Sequence, residues 1–369
     1  MSEEKHFSCF LYDQIDHETE AGNPDNPRNF MDSLDPLLSV LVSREAGASF
    51  YDDLTGRFGT EYIDRMIRCG VLRREDQRVF LDTPVFLEAD APLLAAHFAS
   101  AAEKLAGLIA SCRQPLYELA GKISNGFPPE RNLYHLLCGW SMDGAMIDRL
   151  IGENIISEGR HHATGLDYLL IVYEKNPVLD VFSDRLLCSF NRCVQENCAL
   201  ESFGDADGNR RDCFRYFRLK EQGKLTPAFE KIDQAMQGLS PADLTRAAAA
   251  LADGRRADDR SVRALEAFGY TRDGRLCVPV FRPEHDVIFY AMEELLEKIL
   301  LQPVAEVFEV LRDLRITPSL HRVPLKETAN ECWHILFGNI NEALVRNGLV
   351  SVPEAHAGEG RYLRCVVLG

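Results

Sequence analysis

The sequence predicts an α+β protein that is mainly helical and consists of two pseudo-equivalent halves. Helix-length stretches with apolar residues at three- and four-residue steps alternate with short β-rich pairs around polar tips. Short sequence motifs also recur between the halves. His135 and Gly139 of NLYHLLCG correspond to His334 and Gly338 of NECWHILFG, 199 positions later. A chain of 369 residues is long enough for two or more domains.

The first third of the chain predicts an acidic arm followed by three helices and a hairpin. Eight acidic and two basic side chains lie in residues 1–33, and AGNPDNPRN is typical of turns. Three short helices, each ended by a glycine, are then predicted in DPLLSVLVSREAG, SFYDDLTGRFG and TEYIDRMIRCG. VLRREDQRVFLDTPVF predicts a hairpin with the charged tip REDQR.

This order of elements resembles the winged-helix form of the helix-turn-helix superfamily. IDRMIRCGVLRRED carries the resemblance most clearly, because a third helix ends at Gly70, an apolar strand begins at once and a charged wing follows. The order recurs in AMIDRLIGENIISEGRHHATGLDYLLIVYE, in RSVRALEAFGYTRDGRLCVPVF and in NEALVRNGLVSVPEAHAGEGRYLRCVVL. The resemblance implies four winged-helix units. It leaves the function open, because winged helices bind DNA, RNA or other proteins.

Two long amphipathic helices, APLLAAHFASAAEKLAGLIASC and HDVIFYAMEELLEKILLQPVAEVFEVLRDL, are expected to join these units. Further matches between the halves are FSCFLYDQ with RDCFRYFR, Gly70 with Gly269, and TPVF with VPVF. The predicted domains are an acidic arm (1–33), winged helix 1 (34–90), a long helix plus winged helix 2 (91–175), a linker and second arm (176–238), winged helix 3 (239–283), and a long helix plus winged helix 4 (284–369).

The resemblance implies DNA contact through the third helix and the wing of winged helices 1 and 3, which hold clustered arginines at equivalent places in the two halves. The candidate DNA-binding residues are Arg65, Arg68, Arg73, Arg74, Arg78, Arg255, Arg256, Arg260, Arg263, Arg272 and Arg275. Acidic neighbours leave a second interpretation open, in which these arginines only balance the acids on solvated faces.

The function predicted from this resemblance is that of a DNA-binding transcriptional regulator with double-stranded DNA as its partner. The alternative is a non-enzymatic assembly module that uses the winged helices as a scaffold for a protein partner. The net charge of −16 repels nucleic acid at long range, so any DNA contact needs a local basic patch.

Catalysis, metal binding and membrane contact are not expected. The chain has no G-x-G-x-x-G, G-x-x-x-x-G-K-[ST], G-x-S-x-G or H-E-x-x-H motif and no C-x-x-C pair, so no enzyme, cofactor or metal is predicted. His135 and His334 are expected to pack, with a ring nitrogen bonded to a helix carbonyl. MSEEKHFSCF lacks the pattern of a secretory signal and no apolar run looks long enough to span a bilayer, so a cytoplasmic protein with reduced thiols is expected.

Overall fold

The computed structural model describes residues 5–13, 15, 19–179, 186–206 and 210–369. The chain divides into two compact units, each made of three segments. The first unit comprises Met1–Ala101, Ile147–Phe182 and Gln302–Leu336, and the second comprises Ala102–Met146, Ser183–Leu301 and Phe337–Gly369.

Helices make up most of the regular structure in the described residues. In chain order they are α1 (Asp35–Val42), α2 (Tyr51–Phe58), α3 (Thr60–Arg68), α4 (Asp90–Ser111), α5 (Arg113–Ala120), α6 (Pro129–Leu133), α7 (Met146–Gly152), α8 (Cys213–Glu221), α9 (Glu230–Ala235), α10 (Pro241–Ala252), α11 (Asp259–Ala267), α12 (Asp286–Leu311), α13 (Thr317–Leu320) and α14 (Leu325–Arg346). A π-helical segment, Tyr134–Ala145, links α6 to α7.

The strands form several small sheets. In chain order they are β1 (Phe7–Asp13), β2 (Ala48–Phe50), β3 (Leu72–Glu75), β4 (Arg78–Leu81), β5 (Val85–Phe86), β6 (Arg160–His161), β7 (Asp167–Glu174), β8 (Leu187–Gln195), β9 (Cys198–Asp205), β10 (Thr271–Arg272), β11 (Arg275–Leu276), β12 (Val280–Phe281), β13 (Ala355–His356) and β14 (Gly360–Leu368). The predicted fold class, α+β and mainly helical, is confirmed.

The stretch predicted as winged helix 1 forms three helices and a three-stranded antiparallel sheet in the first unit. The elements follow one another as α1, β2, α2, α3, β3 and β4, and the strand order is β2-β4-β3. Leu37, Leu54, Ile63, Met66 and Val79 are buried in its core. Helix α3 buries the apolar side of its 3.6-residue period against this sheet, as the sequence pattern predicts.

A second sheet of the first unit is built around β7. Strand β1 pairs with β7 antiparallel, β5 pairs with it parallel, and β6 adds a two-residue antiparallel contact. The central strand is almost wholly buried from Tyr168 to Glu174, which accounts for its continuous apolar run.

The second unit contains a five-stranded sheet whose core order is β12-β14-β9-β8, with β13 added to β14. Strand β14 pairs parallel with β12 and antiparallel with β9 and β13, which is the pattern that β7 makes with β5, β1 and β6. The motifs TPVF and VPVF lead into β5 and β12, the two strands that pair parallel. These pairings support the predicted duplication, which stays a prediction.

One predicted match between the halves is wrong. FSCFLYDQ contains strand β1, whereas RDCFRYFR contains the start of helix α8, so the two stretches are not equivalent. The reason is the cap at Asp212, whose side chain accepts a hydrogen bond from the backbone N–H of Arg215 and starts a helix there. The stretch 176–238, predicted as a linker and second arm, holds β8, β9, α8 and α9.

The two histidine motifs differ in backbone form. His135 lies in the π-helical segment, where burial and the nearby Arg131 lower its pKa well below the usual value, so the ring stays neutral. His334 lies in α14, and its Nδ1 is 3.0 Å from the carbonyl oxygen of Asn330. The expected bond to a helix carbonyl is therefore present at His334, while Nε2 of His135 has no hydrogen-bond partner in the described chain.

Helix α4 corrects the expectation that no apolar run is long enough to span a bilayer. Its 22 residues pass that test by length and composition, and 33% of its most apolar window is buried inside the protein. A core helix of a soluble protein passes the same test, so a single such helix is weak evidence for a membrane span.

Candidate nucleic-acid interface

A groove in the second unit collects three of the candidate arginines. Its walls are the loop between α10 and α11 and the hairpin β10–β11, and its volume is about 740 Å³. We call it the arginine groove, and its lining includes Arg255, Arg256, Arg275, Leu276, Val278, Val280, Asn125 and Phe127. The arginines and the apolar side chains therefore lie in one concavity, although Arg255 and Arg275 are 20 positions apart in the sequence.

The groove begins where α10 ends and α11 starts. Asp258 caps α11: its Oδ1 accepts hydrogen bonds from the backbone N–H groups of Arg260 and Ser261, at 3.1 and 3.0 Å. Ser261, through its side chain and then its backbone N–H, and the backbone N–H of Arg260 hold the pKa of Asp258 below its usual value. The carboxylate of Asp258 is thus engaged in the cap and is a poor partner for the arginines around it.

Asp253, at the end of α10, is held by two arginines. Its Oδ2 accepts from Nη2 of Arg255 at 3.0 Å, and its Oδ1 accepts from Nη1 of Arg282 at 3.1 Å. These hydrogen bonds lower the pKa of Asp253, and the bond from Arg255 has the larger effect. Two cations face one carboxylate here, so the local charge remains positive.

Arg256 is the most exposed of the groove arginines. Its side chain is 90% exposed, and its nearest acid is Asp259, which is 76% exposed and 3.8 Å away. An exposed ion pair at this distance contributes little free energy and is screened by salt. A phosphate could therefore replace Asp259 at small cost.

The outer face of α11 carries further arginines. Ser261, Ala264 and Leu265 are buried on the inner face, and the helical period turns Arg260 and Arg263 to the solvent. Arg260 donates from Nη2 to the backbone oxygen of Gln237, whereas no ion pair is found for Arg263 in the part of the chain that the structure describes.

The hairpin β10–β11 places two arginines side by side. Asp273 and Gly274 form its two-residue tip with φ of 51° and 73°, and Arg272 pairs with Arg275 across the strands. Like charges directly opposite on a hairpin repel each other. Both arginines are exposed, and within the described residues neither has an ion pair, so an anion would relieve their repulsion.

The candidate arginines of the first unit, in the stretch predicted as winged helix 1, are in a different situation, because most of them have intramolecular partners. Arg68 is 3.6 Å from Asp25, and Arg73 is 3.0 Å from Glu75 and 3.2 Å from Asp82. Arg74 donates from Nε to the backbone oxygen of Asp76 at 2.8 Å. These contacts match the interpretation that the arginines balance neighbouring acids.

Aromatic rings hold several of the same arginines. Arg65 lies over Tyr62, Arg74 over Tyr51 at 3.7 Å, and both Arg73 and Arg78 over Phe80. A guanidinium over a ring gains a cation–π contact and loses freedom to reach a phosphate. The arginines of residues 255–275 thus lie on an open surface, whereas most of those in residues 65–78 are engaged within the protein.

Asn125 and Phe127 are two of the groove residues that the sequence candidates did not include. Asn125 and Phe127 lie in the loop before α6, where Oδ1 of Asn125 accepts from the backbone N–H of Phe127 at 3.2 Å. An aromatic residue in the turn-rich NGFPP is the available signal, since aromatic rings next to arginines are typical of nucleic-acid surfaces.

Comparison of the chain with known protein families, with curated proteins and with solved structures finds no match.

Proposed function

We propose that the protein is a DNA-binding regulator and that its second unit holds double-stranded DNA through the arginine groove, the outer face of α11 and the wing. The observation that carries the proposal is the gathering of six exposed arginines, near which Asp258 is engaged in a helix cap and Asp253 is shared between two cations. The arginines are Arg255, Arg256, Arg260, Arg263, Arg272 and Arg275.

The order of elements supports this proposal. Helices α9, α10 and α11 are followed by the hairpin β10–β11, which agrees with the winged-helix resemblance. In such units the third helix enters the major groove and the wing lies along the backbone. Under this proposal Arg260 and Arg263 approach base edges, while Arg255, Arg256 and Arg275 neutralise phosphates.

The proposal is asymmetric between the halves. Because winged helix 1 uses its arginines for contacts with Asp25, Asp82 and aromatic rings, it contributes little to DNA binding. The alternative function, a protein assembly module, is favoured only for this part of the chain. Its specific support is Phe50, which is 59% exposed on the edge strand β2.

A cytoplasmic location belongs to the same proposal. None of the eleven cysteines, all of which lie in described residues, is in a disulfide, as expected for a reducing compartment that also contains DNA.

Binding of the full chain to a mixed-sequence duplex is expected to be strongly salt-dependent. Each phosphate neutralised by arginine releases condensed counterions and contributes about −0.9 to the slope of log K against log salt. If the three groove arginines each neutralise one phosphate, the slope of log K against log salt is expected to be about −2.7 or steeper, despite the acidic total charge. Fluorescence anisotropy at a series of salt concentrations measures it. Absence of binding at low salt contradicts the proposal.

A further inference from the structure

The floor of the arginine groove is apolar, which contact with phosphates does not require. Leu251, Leu276 and Val280 are half-buried at the edge of the second unit's hydrophobic core, and with the buried Val278 they line the groove. An ionised phosphate loses hydration against such a surface, whereas the face of a nucleobase gains from leaving water. The floor therefore fits a base better than it fits a sugar–phosphate backbone.

An aromatic ring completes this lining. Phe127 is half-buried and lines the groove together with the aliphatic side chains. The guanidinium of Arg131 lies over the ring, with its central carbon 6.0 Å from the ring centroid. Any base can stack on an aromatic ring, because every base has a π-face. Phe127 thus provides a stacking surface in the same groove as the exposed Arg255, Arg256 and Arg275.

The loop that carries Phe127 is held in place by a buried amide. Asn132, in α6, is 0% exposed, and its Nδ2 donates to Oδ1 of Asn125 at 3.2 Å while its Oδ1 accepts from Nδ2 of Asn125 at 3.0 Å. Oδ1 of Asn125 also accepts from the backbone N–H of Phe127, and Gly126 between them has φ of 82°. The ring is therefore presented by a fixed loop, so little conformational entropy is lost when a base stacks on it.

The size of the groove favours a base that is already unpaired. A volume of about 740 Å³ is that of a small-molecule site and is too small to admit a double helix. A base within a duplex must first be unpaired and unstacked, which costs free energy that a base in a single strand does not require. An unpaired nucleotide therefore enters the groove more readily than a paired one.

We propose that the arginine groove takes up an unpaired base next to the duplex, so that the protein prefers DNA with single-stranded tails to blunt DNA. The base stacks on Phe127, and Arg255, Arg256 and Arg275 bind the phosphates on either side of it. The lining acid Asp259 is exposed and lies 3.8 Å from Arg256, so a phosphate replaces it at small cost. This inference rests on the proposed DNA binding and names the form of DNA.

Anisotropy titration of the full chain with three DNAs tests this inference. They are a blunt duplex, the same duplex with unpaired thymidine tails on both strands at one end, and the same forked DNA with abasic tails. Abasic tails keep every phosphate, so the comparison of the two forked DNAs isolates the contribution of the bases. We expect the thymidine tails to bind about tenfold more tightly than the abasic tails, as one base-stacking contact predicts. Equal affinities of the two forked DNAs overturn the inference.

Replacement of the ring tests the residue assignment. Phe127→Leu keeps an apolar side chain in the loop and removes the π-face, so the tenfold ratio between thymidine and abasic tails is expected to fall to about twofold. The matched control is Phe214→Leu, because Phe214 is 39% exposed on α8 and Arg218 lies over its ring at 5.5 Å, away from the groove lining. We expect this control to keep the ratio. An unchanged ratio in Phe127→Leu, or an equal loss in Phe214→Leu, overturns the inference.

Failure of this inference and failure of the DNA-binding proposal give different results. Equal binding of all three DNAs overturns the inference alone, because the protein still holds DNA. Absence of binding to all three DNAs at low salt contradicts the DNA-binding proposal and the inference with it. The comparison of the two forked DNAs on the unaltered protein remains decisive if Phe127→Leu does not fold.

Discussion

Replacing Arg255, Arg256 and Arg275 together with alanine is expected to weaken duplex DNA binding about 100-fold at low salt. All three side chains line the arginine groove and are exposed, so their removal takes charge from the surface without opening a core. The slope of log K against log salt should become less steep by about 2.7, because three phosphates lose their partners. Anisotropy titration measures both quantities.

The control for this triple variant removes three exposed arginines elsewhere. Arg218 lies over Phe214, Arg246 pairs with Asp243, and Arg312 pairs with Glu309. Their replacement by alanine changes the net charge by the same amount, and we expect the DNA affinity to fall only a few-fold. Equal losses in the two triple variants would show that net charge, and not the arginine groove, controls binding.

Gly70→Ala is expected to destabilise the first unit by about 2–4 kcal/mol. Gly70 ends α3 with φ of 68°, and an added Cβ would lie 2.2 Å from Nδ1 of His162. That ring cannot move freely, because it packs against Tyr168 with centroids 4.0 Å apart and its Nε2 is 3.1 Å from the Tyr168 carbonyl oxygen. Urea unfolding followed by circular dichroism measures the loss.

Gly348→Ala separates the two causes. Gly348 also ends a helix with φ of 62°, and the next residue bonds back to Leu344 at 3.0 Å, as Val71 bonds back to Met66 after Gly70. Nothing lies within 4 Å of an added Cβ at Gly348. Its substitution should cost only the left-handed backbone conformation, about 1–2 kcal/mol. A Gly70 variant no less stable than the Gly348 variant would refute the close approach of His162.

Much of the fold follows from local signals in the sequence. Gly47, Gly59 and Gly70 follow the three short helices predicted before the first hairpin, and all three have positive φ, although the first helix already ends at Val42. The tip of the hairpin β10–β11 is also predictable from the sequence, because Asp-Gly is typical of a two-residue hairpin. Strands β8 and β9 were missed because alternating polar and apolar residues in a stretch rich in turn formers looked like a linker.

The candidate site was less predictable, because its outcome depends on partners that are distant in sequence. Arg68 lies 3.6 Å from Asp25, which is in the predicted acidic arm. No pattern within the helix predicts this ion pair. The cap at Asp258 is predictable, because an acid at the start of a helix is typical of a cap, but no local pattern predicts that Asp253 is shared between Arg255 and Arg282.

Hydrogen–deuterium exchange of the full chain, with and without duplex DNA, tests whether the second unit holds the DNA. We expect slower amide exchange on DNA binding in residues 253–276, which contain the groove loop, α11 and the hairpin β10–β11. No change is expected in residues 72–81, which contain the hairpin β3–β4, because the arginines there are engaged within the protein. Protection of 72–81 without protection of 253–276 would show that the second unit does not hold the DNA.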